Sequence, residues 1–201
     1  MLHDLKQCRK RGVKIVVFNP LRERGLERFT SPQNPVEMAT GGETRIATQY
    51  HQVKAGGDIA VMMGIAKWLV EWDALASANG THAVLDHDFL AQHCHDADAF
   101  LMAVRAADWD AIEAESGLTR RDLEAAARVY AKSNAVMAIY GMGLTQHVKG
   151  VDNVRMIVNL LLLRGNIGKP GAGPTPVRGH SNVQGQRTVG MTEKTELAPV
   201  E

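Results

Sequence analysis

Apolar positions recur along the chain at two spacings, that of amphipathic helices and that of short strands. Compact β-branched or aromatic runs predict strands at residues 13–18, 49–53 and 135–140, the first and third of them buried. Apolar residues three and four apart predict helices at residues 2–11, at 59–77, at 86–116 as two or three short helices, from Thr119 onward, and at 150–164. Because helices alternate with strands, we expect an α/β fold, a three-layer αβα sandwich with a mostly parallel, Rossmann-like sheet.

Local signals set the boundaries of these elements. Asp58 is expected to be the N-cap of the helix that follows it, because its carboxylate can accept from free N–H groups of the first turn. Thr119 and Asp122 are spaced as a capping box, with Asp in place of the usual Glu. The polar residues 21–48 and the Gly/Pro-rich residues 164–176 both predict loops.

The order of elements also predicts the domain organisation. Residues 1–176 are expected to form one αβα domain, with a helical insert at about 82–118. Residues 177–201 are then an active-site loop and the start of a further segment. Since the first predicted strand has no strand before it, we expect the chain to begin in the middle of a sheet.

Composition excludes several classes of protein. Hydrophobic content of 45% and charged content of 22% are typical of a soluble globular protein. The 23 Lys and Arg residues against 22 Asp and Glu give a net charge of +1, without the basic excess of a nucleic-acid surface. The sequence has neither a signal peptide nor an apolar run long enough to cross a bilayer, so we expect a cytoplasmic protein.

Metal-ligating residue types do not fall into a metal motif. Cys8 and Cys94 lie outside any C-x-x-C pair, so the chain lacks a zinc ribbon or an iron–sulfur motif. His93 and His95 point to different sides of a helix, and neither has a partner at the i+4 spacing that chelates from one face. We interpret this segment as a solvated helical insert and expect no metal ligand in the chain.

Polar or glycine-rich residues follow each predicted strand. Asn19 follows the first, Gly57 and Asp58 follow the second, and residues 141–146 follow the third. In parallel sheets ligands bind beyond the carboxyl ends of the strands, so these stretches form a candidate site. Taken alone, the turn at 141–146 is a weak fingerprint, because Gln146 stands where a dinucleotide motif has its third glycine.

Residues 177–185 form the most chemically distinctive run. Arg178 offers a fork of donors to an anion, and its position between Pro176 and Gly179 favours a fixed guanidinium. Asn182 and Gln184 add amide donors and acceptors, while glycines let the backbone approach a ligand closely. The run predicts the lining of a large, polar, phosphorylated ligand.

This run, with residues 161–173 and 140–147 before it, closely resembles the formate-dehydrogenase-like branch of the dimethyl sulfoxide reductase family. These are molybdenum or tungsten oxidoreductases that carry a bis-molybdopterin guanine dinucleotide cofactor. The resemblance extends from the strand at 13–18 to about residue 190, and its motifs are specific in combination.

The resemblance implies that the chain matches an internal part of a longer enzyme. In the family, a preceding region commonly holds a 4Fe–4S cluster and then the residue that ligates the metal. None of the eight histidines here matches the catalytic histidine next to that ligand. The full-length enzyme would oxidise formate or a similar small substrate by two electrons and pass them to an acceptor. The 201-residue chain alone is expected to be inactive.

The resemblance also assigns roles to single residues. Asn19 takes the slot of the guanosine ribose contact, Asp58 beside Gly57 reads the guanine, and Arg178 orients the formate carboxylate beside the metal. The remaining positions match cofactor contacts: Gly141, Gly143, Gln146, Gly179, Asn182, Gln184 and Gly185. His180 and Ser181 stand where formate dehydrogenases carry amides, so the motifs define the cofactor more closely than the substrate.

A second interpretation of the same residues is a free-standing, non-catalytic α/β module that binds a nucleotide or oligomerises. An open sheet edge invites pairing with another chain, and self-association would cover it.

Overall fold

Ten helices and six strands alternate along residues 2–179, the part of the chain that the computed structural model describes. The helices are α1 Leu2–Lys10, α2 Arg24–Glu27, α3 Pro35–Thr40, α4 Asp58–Ala78, α5 His87–His93, α6 Ala97–Ala106, α7 Trp109–Ser116, α8 Arg120–Ala131, α9 Met142–Thr145 and α10 Gly150–Leu162. The strands are β1 Val16–Phe18, β2 Arg28–Phe29, β3 Thr44–Arg45, β4 Gln49–His51, β5 Met137–Tyr140 and β6 Gly173–Pro176. The predicted α/β class is confirmed.

The strands pair in twos. β1 runs parallel to β4, β5 runs parallel to β6, and β2 runs antiparallel to β3. Within residues 2–179 these form three two-stranded sheets rather than one continuous sheet, because each strand is only two to four residues long. Parallel pairing is therefore observed for four strands, while the Rossmann-like three-layer sandwich stays a prediction.

Helix α4 is the centre of the core. It is mainly apolar and its buried residues lie on more than one side, so other elements must surround it. Helices α6, α7, α8 and α10 pack around it. Gly64 permits the closest approach, since a Cβ there would lie 2.7 Å from Leu123 Cδ1 of α8. No helix in the described part of the chain is long and apolar enough to cross a membrane.

Helix α8 forms as the sequence predicts. The Thr119 hydroxyl accepts from Asp122 N–H at 3.2 Å, and the Asp122 carboxylate accepts from Thr119 N–H at 3.1 Å, which completes the capping box. Its predicted inner face is buried against α4 and α10 (Leu123, Ala126, Ala127 and Tyr130).

The loop predicted at residues 21–48 is wrong in part, because α2, β2, α3 and β3 lie within it. These elements have two to six residues, too few for a periodic signal. Asn34 caps α3 by accepting from two N–H groups of its first turn. The α3 residue Glu37 pairs with the buried Lys6 of α1, so this segment is tied to the N-terminal helix.

Strands β5 and β6 correct two further expectations. β5 is not fully buried, because Met137 and Ile139 are about half exposed (51% and 47%). β6 lies within the stretch predicted as loop and contains Pro174 and Pro176. Proline lacks an N–H and is tolerated only at the edge of a sheet, which is where β6 lies beside β5.

Three short helices, α5 to α7, occupy the histidine-rich segment. His87 Nε2 lies 2.8 Å from the buried carboxylate of Asp73, which also accepts from two backbone N–H groups. His95 pairs with Asp96 at 2.8 Å on the exposed surface. Among the residues that the structure describes, no three His, Cys, Asp or Glu side chains are grouped to hold a metal ion.

The fully buried Asn166 joins α8, α10 and β5. Its Oδ1 accepts from Val136 N–H at 3.0 Å, and its Nδ2 donates to the Tyr130 hydroxyl at 3.0 Å. The same hydroxyl donates to the Leu160 carbonyl at 2.7 Å. Burial raises the pKa of Tyr130 to about 12, so this donor keeps its proton.

We expect Asn166→Ala to lower the free energy of unfolding by about 2 kcal/mol, because the partly buried Val136 N–H loses its acceptor and the buried Tyr130 hydroxyl loses one of its two partners. Urea unfolding followed by circular dichroism measures this change. The exposed Asn134 provides the control, since Asn134→Ala should change stability by less than about 0.5 kcal/mol. Equal effects of the two substitutions would contradict the role given to Asn166.

Candidate functional site

The pairing of β5 with β6 brings two predicted stretches together. Val177 N–H donates to the Tyr140 carbonyl at 2.8 Å, which continues the ladder past the end of both strands. A Cβ at Gly179 would lie 3.2 Å from Met142 Sδ. The run that contains Arg178 therefore lies beside the turn that begins at Gly141, as the position after parallel strands predicts.

A second contact joins this turn to the segment after β4. The ring of His147 lies over Gly56, where a Cβ would be 3.0 Å from Nε2. His147 also acts electrostatically on Asp58, two residues further along. Residues 56–58 and 141–147 thus form one edge of the molecule, which we call the strand-end site together with residues 177–179.

The N-cap expected at Asp58 is wrong. Gly57 is the N-cap of α4, and Asp58 is the first helical residue. Burial raises the pKa of the Asp58 carboxyl, while its own backbone N–H and the nearby His147 act in the opposite direction. The half-buried carboxylate therefore bonds to its own backbone N–H in the first turn of α4, where a helix N-terminus favours negative charge.

The predicted glycines differ in what they do. A Cβ at Gly57 would lie 2.6 Å from the Glu115 carbonyl oxygen and 3.0 Å from Ser116 Cα, so packing against the end of α7 requires glycine there. At Gly143 a Cβ would meet nothing within 4 Å. At Gly141 its nearest neighbour would be the Val177 carbonyl oxygen at 4.0 Å. Gly57 is thus a packing glycine, and the other two face open space.

Asn153 anchors the turn to α10. This buried side chain donates from Nδ2 to the Leu144 carbonyl at 2.9 Å. Its Oδ1 is buried and has no hydrogen-bond partner within residues 2–179. Gly150 allows the same close approach, since a Cβ there would overlap the Thr145 carbonyl. Helix α10 therefore fixes the position of α9, which contains Gly143, and of Gly141 directly before it.

Asn19 lies at the end of β1, on the neighbouring strand pair. Its N–H donates to the His51 carbonyl at 3.1 Å, and its Nδ2 donates to the Leu21 carbonyl at 2.8 Å. These contacts hold the turn after β1 and join it to β4. Within residues 2–179, the hydrogen bonds of Asn19 go to His51, Leu21 and Tyr50 rather than to the 141–147 turn.

Arg178 and Gln146 are both exposed, with their backbones held at the strand-end site. The predicted contacts Asn182, Gln184 and Gly185 lie outside the described residues. A cleft of about 440 Å³ lies elsewhere, lined by residues 83–88 with Asn134, Arg164 and Lys169. Among the described residues, those of the strand-end site do not line this cleft.

A family model for molybdopterin oxidoreductases matches residues 3–199, nearly the whole chain. The chain belongs to the molybdopterin oxidoreductase family. The resemblance inferred from its motifs is confirmed at this level.

Curated relatives agree with this membership. The chain is 50% identical over 194 residues to Protein YdeP of Escherichia coli, covering 96% of the chain and 26% of that protein. It is 39% identical over 194 residues to an uncharacterized oxidoreductase of Mycobacterium bovis, covering 96% of the chain and 24% of that protein. Formate dehydrogenase H of Escherichia coli is 29% identical over 188 residues, with 94% and 22% covered. The chain spans about a quarter of the length of these relatives.

The family implies a molybdopterin-type cofactor, and residues of the strand-end site fit such a group. The half-buried Asp58 carboxylate lies in the first turn of α4, and a Cβ at Gly143 would meet no atom of residues 2–179 within 4 Å. The buried Asn153 Oδ1 adds an acceptor behind the turn. A polar edge lined by glycine suits a phosphorylated ligand better than it suits a hydrophobic one.

Sequence reasoning missed His147 and Asn153 as residues of this site. His147 is the last residue of the motif at 140–147, so that motif offered a signal for it. Asn153 had no local signal, because a polar residue in a helix is usually exposed, whereas this one is 1% exposed.

We expect Gly57→Ala to lower the free energy of unfolding by about 1–3 kcal/mol, because the new Cβ meets backbone atoms that cannot turn away. Gly143→Ala is the matched control. It lies in a helix with open space around it, so stability should stay unchanged or rise by a few tenths of a kcal/mol. Thermal melting of both variants measures the difference, and a neutral Gly57→Ala would overturn the packing argument.

Proposed function

We propose that this chain is the part of a molybdenum or tungsten oxidoreductase that holds one guanine dinucleotide of a bis-molybdopterin guanine dinucleotide cofactor and contributes an arginine to the substrate site. The convergence of residues 56–58, 141–147 and 177–179 at one edge supports this proposal most directly. Family membership supplies the class of cofactor.

Asp58 is the proposed recognition residue for the guanine base. A carboxylate can accept two hydrogen bonds side by side, and guanine presents N1–H and N2–H in that arrangement. Asp58 is suited to this role because its half-buried carboxylate lies in the first turn of α4, at the strand-end site. The helix N-terminus behind it favours the charged form that accepts both bonds.

The exposed backbone of the turn is proposed to contact the phosphates and the pterin. Gly141 and Gly143 carry no side chain that would hold such a group away, and Gln146 adds an amide beside them. Gly179 continues this glycine-lined edge from the neighbouring strand. Asn182, Gln184 and Gly185 belong to the same proposed set from the sequence alone, as does Asn19 for the ribose.

Arg178 is the proposed substrate residue. Its planar guanidinium can hold both oxygens of a carboxylate such as formate, which orients the C–H bond. Oxidation of formate to carbon dioxide releases two electrons and one proton. The bound cofactor would supply the two-electron redox chemistry, and the arginine would position the substrate.

The whole enzyme that we propose is longer than this chain. It would carry a 4Fe–4S cluster and the metal ligand in another region, would act in the cytoplasm, and would pass electrons to an acceptor. The domain division proposed from the sequence, at residues 176 and 177, places Arg178 just after the dinucleotide-binding domain.

Guanosine diphosphate (GDP) binding tests the dinucleotide site. We expect the 201-residue chain to bind GDP saturably in a calorimetric titration, and Asp58→Asn to weaken binding about tenfold or more, because the amide cannot accept both guanine N–H bonds. Asp98→Asn is the control, an exposed Asp in the first turn of α6. Absence of GDP binding to the unchanged chain would favour a non-catalytic module instead.

Formate-dependent dye reduction tests whether catalysis requires the region of the enzyme that lies outside this chain. We expect the purified 201-residue chain to give no reduction, because the chain has no residue matched to the metal ligand. A chain of the relatives' full length should reduce the dye, and Arg178→Lys there should raise KM for formate, since an ammonium cannot hold both carboxylate oxygens in a fixed plane. Turnover by the 201-residue chain alone would refute the proposal that catalysis requires a metal ligand from another region.

A further inference from the structure

His147 lies in an unusual place for an exposed histidine. It follows α9, and its ring is set against the backbone of Gly56 on another segment. Gly56 has a φ of +84°, a backbone conformation that favours glycine. A side chain at position 56 would displace the ring, since its Cβ would lie 3.0 Å from Nε2 and 3.4 Å from Cε1.

The ring is oriented by its own segment. Lys149 N–H donates to His147 Nδ1 at 3.3 Å, so Nδ1 acts as the acceptor. A neutral imidazole that accepts at Nδ1 carries its proton at Nε2. Nε2 is therefore a hydrogen-bond donor, and it is the ring atom nearest to the 56–58 segment.

Asp58 and His147 are neighbours without being partners. The His147 ring lies against Gly56, two residues before Asp58. Within residues 2–179, however, no hydrogen bond joins the Asp58 carboxylate to the His147 ring. The strand-end site thus presents an acceptor and a donor on neighbouring segments.

We propose that His147 Nε2–H donates to O6 of a guanine base whose N1–H and N2–H groups bond to Asp58. This inference rests on the proposed dinucleotide site and adds a specificity-determining residue to it. Guanine presents O6 as an acceptor next to the N1–H and N2–H donors, which complements a donor beside a carboxylate. Adenine presents an N6 amino donor in place of O6, so it would face the His147 donor with like polarity.

The experiment must distinguish two roles of His147: a hydrogen bond to the base, and packing over Gly56. His147→Leu keeps apolar bulk over the glycine and removes the donor. His147→Gln keeps a donor of similar reach through its side-chain amide. Val148→Ala provides a control at the next position, because Val148 is fully exposed. Thermal melting of each variant checks that the fold is retained.

The test compares three nucleotides on the 201-residue chain by calorimetric titration: GDP, inosine diphosphate (IDP) and ADP. IDP keeps O6 and N1–H but lacks the N2 amino group. We expect His147→Leu to weaken GDP and IDP by the same factor, about threefold to tenfold, and to leave ADP unchanged. His147→Gln and Val148→Ala should bind GDP as the unchanged chain does.

Asp58→Asn separates recognition of the N2 amino group, proposed for Asp58, from recognition of O6, proposed for His147. It should reduce the preference for GDP over IDP, which depends on the N2 amino group, whereas His147→Leu should leave that preference intact. If the unchanged chain does not prefer GDP over ADP, the proposed dinucleotide site and this inference both fail. If GDP is preferred and Asp58→Asn weakens it, but His147→Leu retains the full preference over ADP, only the role of His147 is overturned.

Discussion

The burial of α4 is the constraint on which the rest of the described structure depends. A mainly apolar 21-residue helix with buried residues on more than one side is stable only when other elements surround it, and α6, α7, α8 and α10 do so. Gly57 and Gly64 allow two of these neighbours to approach closely. The same packing fixes the N-terminus of α4, and therefore Asp58, at the edge where the strands end. Core and site are thus positioned by one helix.

The second determinant is the pairing of β5 with β6. A parallel pair places both carboxyl ends on the same side, so the turn after β5 and the residues after β6 become neighbours. The prolines of β6 confine it to an edge, and the half-exposed Met137 and Ile139 leave one face of β5 uncovered.

Much of the secondary structure can be predicted from local sequence patterns, without knowledge of tertiary contacts. The capping box at Thr119 and the inner face of α8 are properties of spacing alone, and both form as expected. The misassigned elements are those whose stability comes from contacts. Strands β2 and β3 have two residues each, too few for a pattern. The prolines of β6 are unfavourable in a strand, and β6 forms because an edge position tolerates them. Asp58 has a typical capping residue type, but the helix begins one residue earlier than that role requires.

By itself, the sequence determined the α/β class and the family, because periodicity and the motifs at 140–147, 161–173 and 177–185 are read along the chain. It also predicted that ligand-binding residues follow the strands. Only the tertiary structure decided which of these residues meet. It joined residues 56–58 to His147 and residues 141–143 to residues 177–179, and it kept Asn19 with β4. The reason is physical: contacts between distant segments depend on the packing of helices and the pairing of strands, which no local spacing encodes.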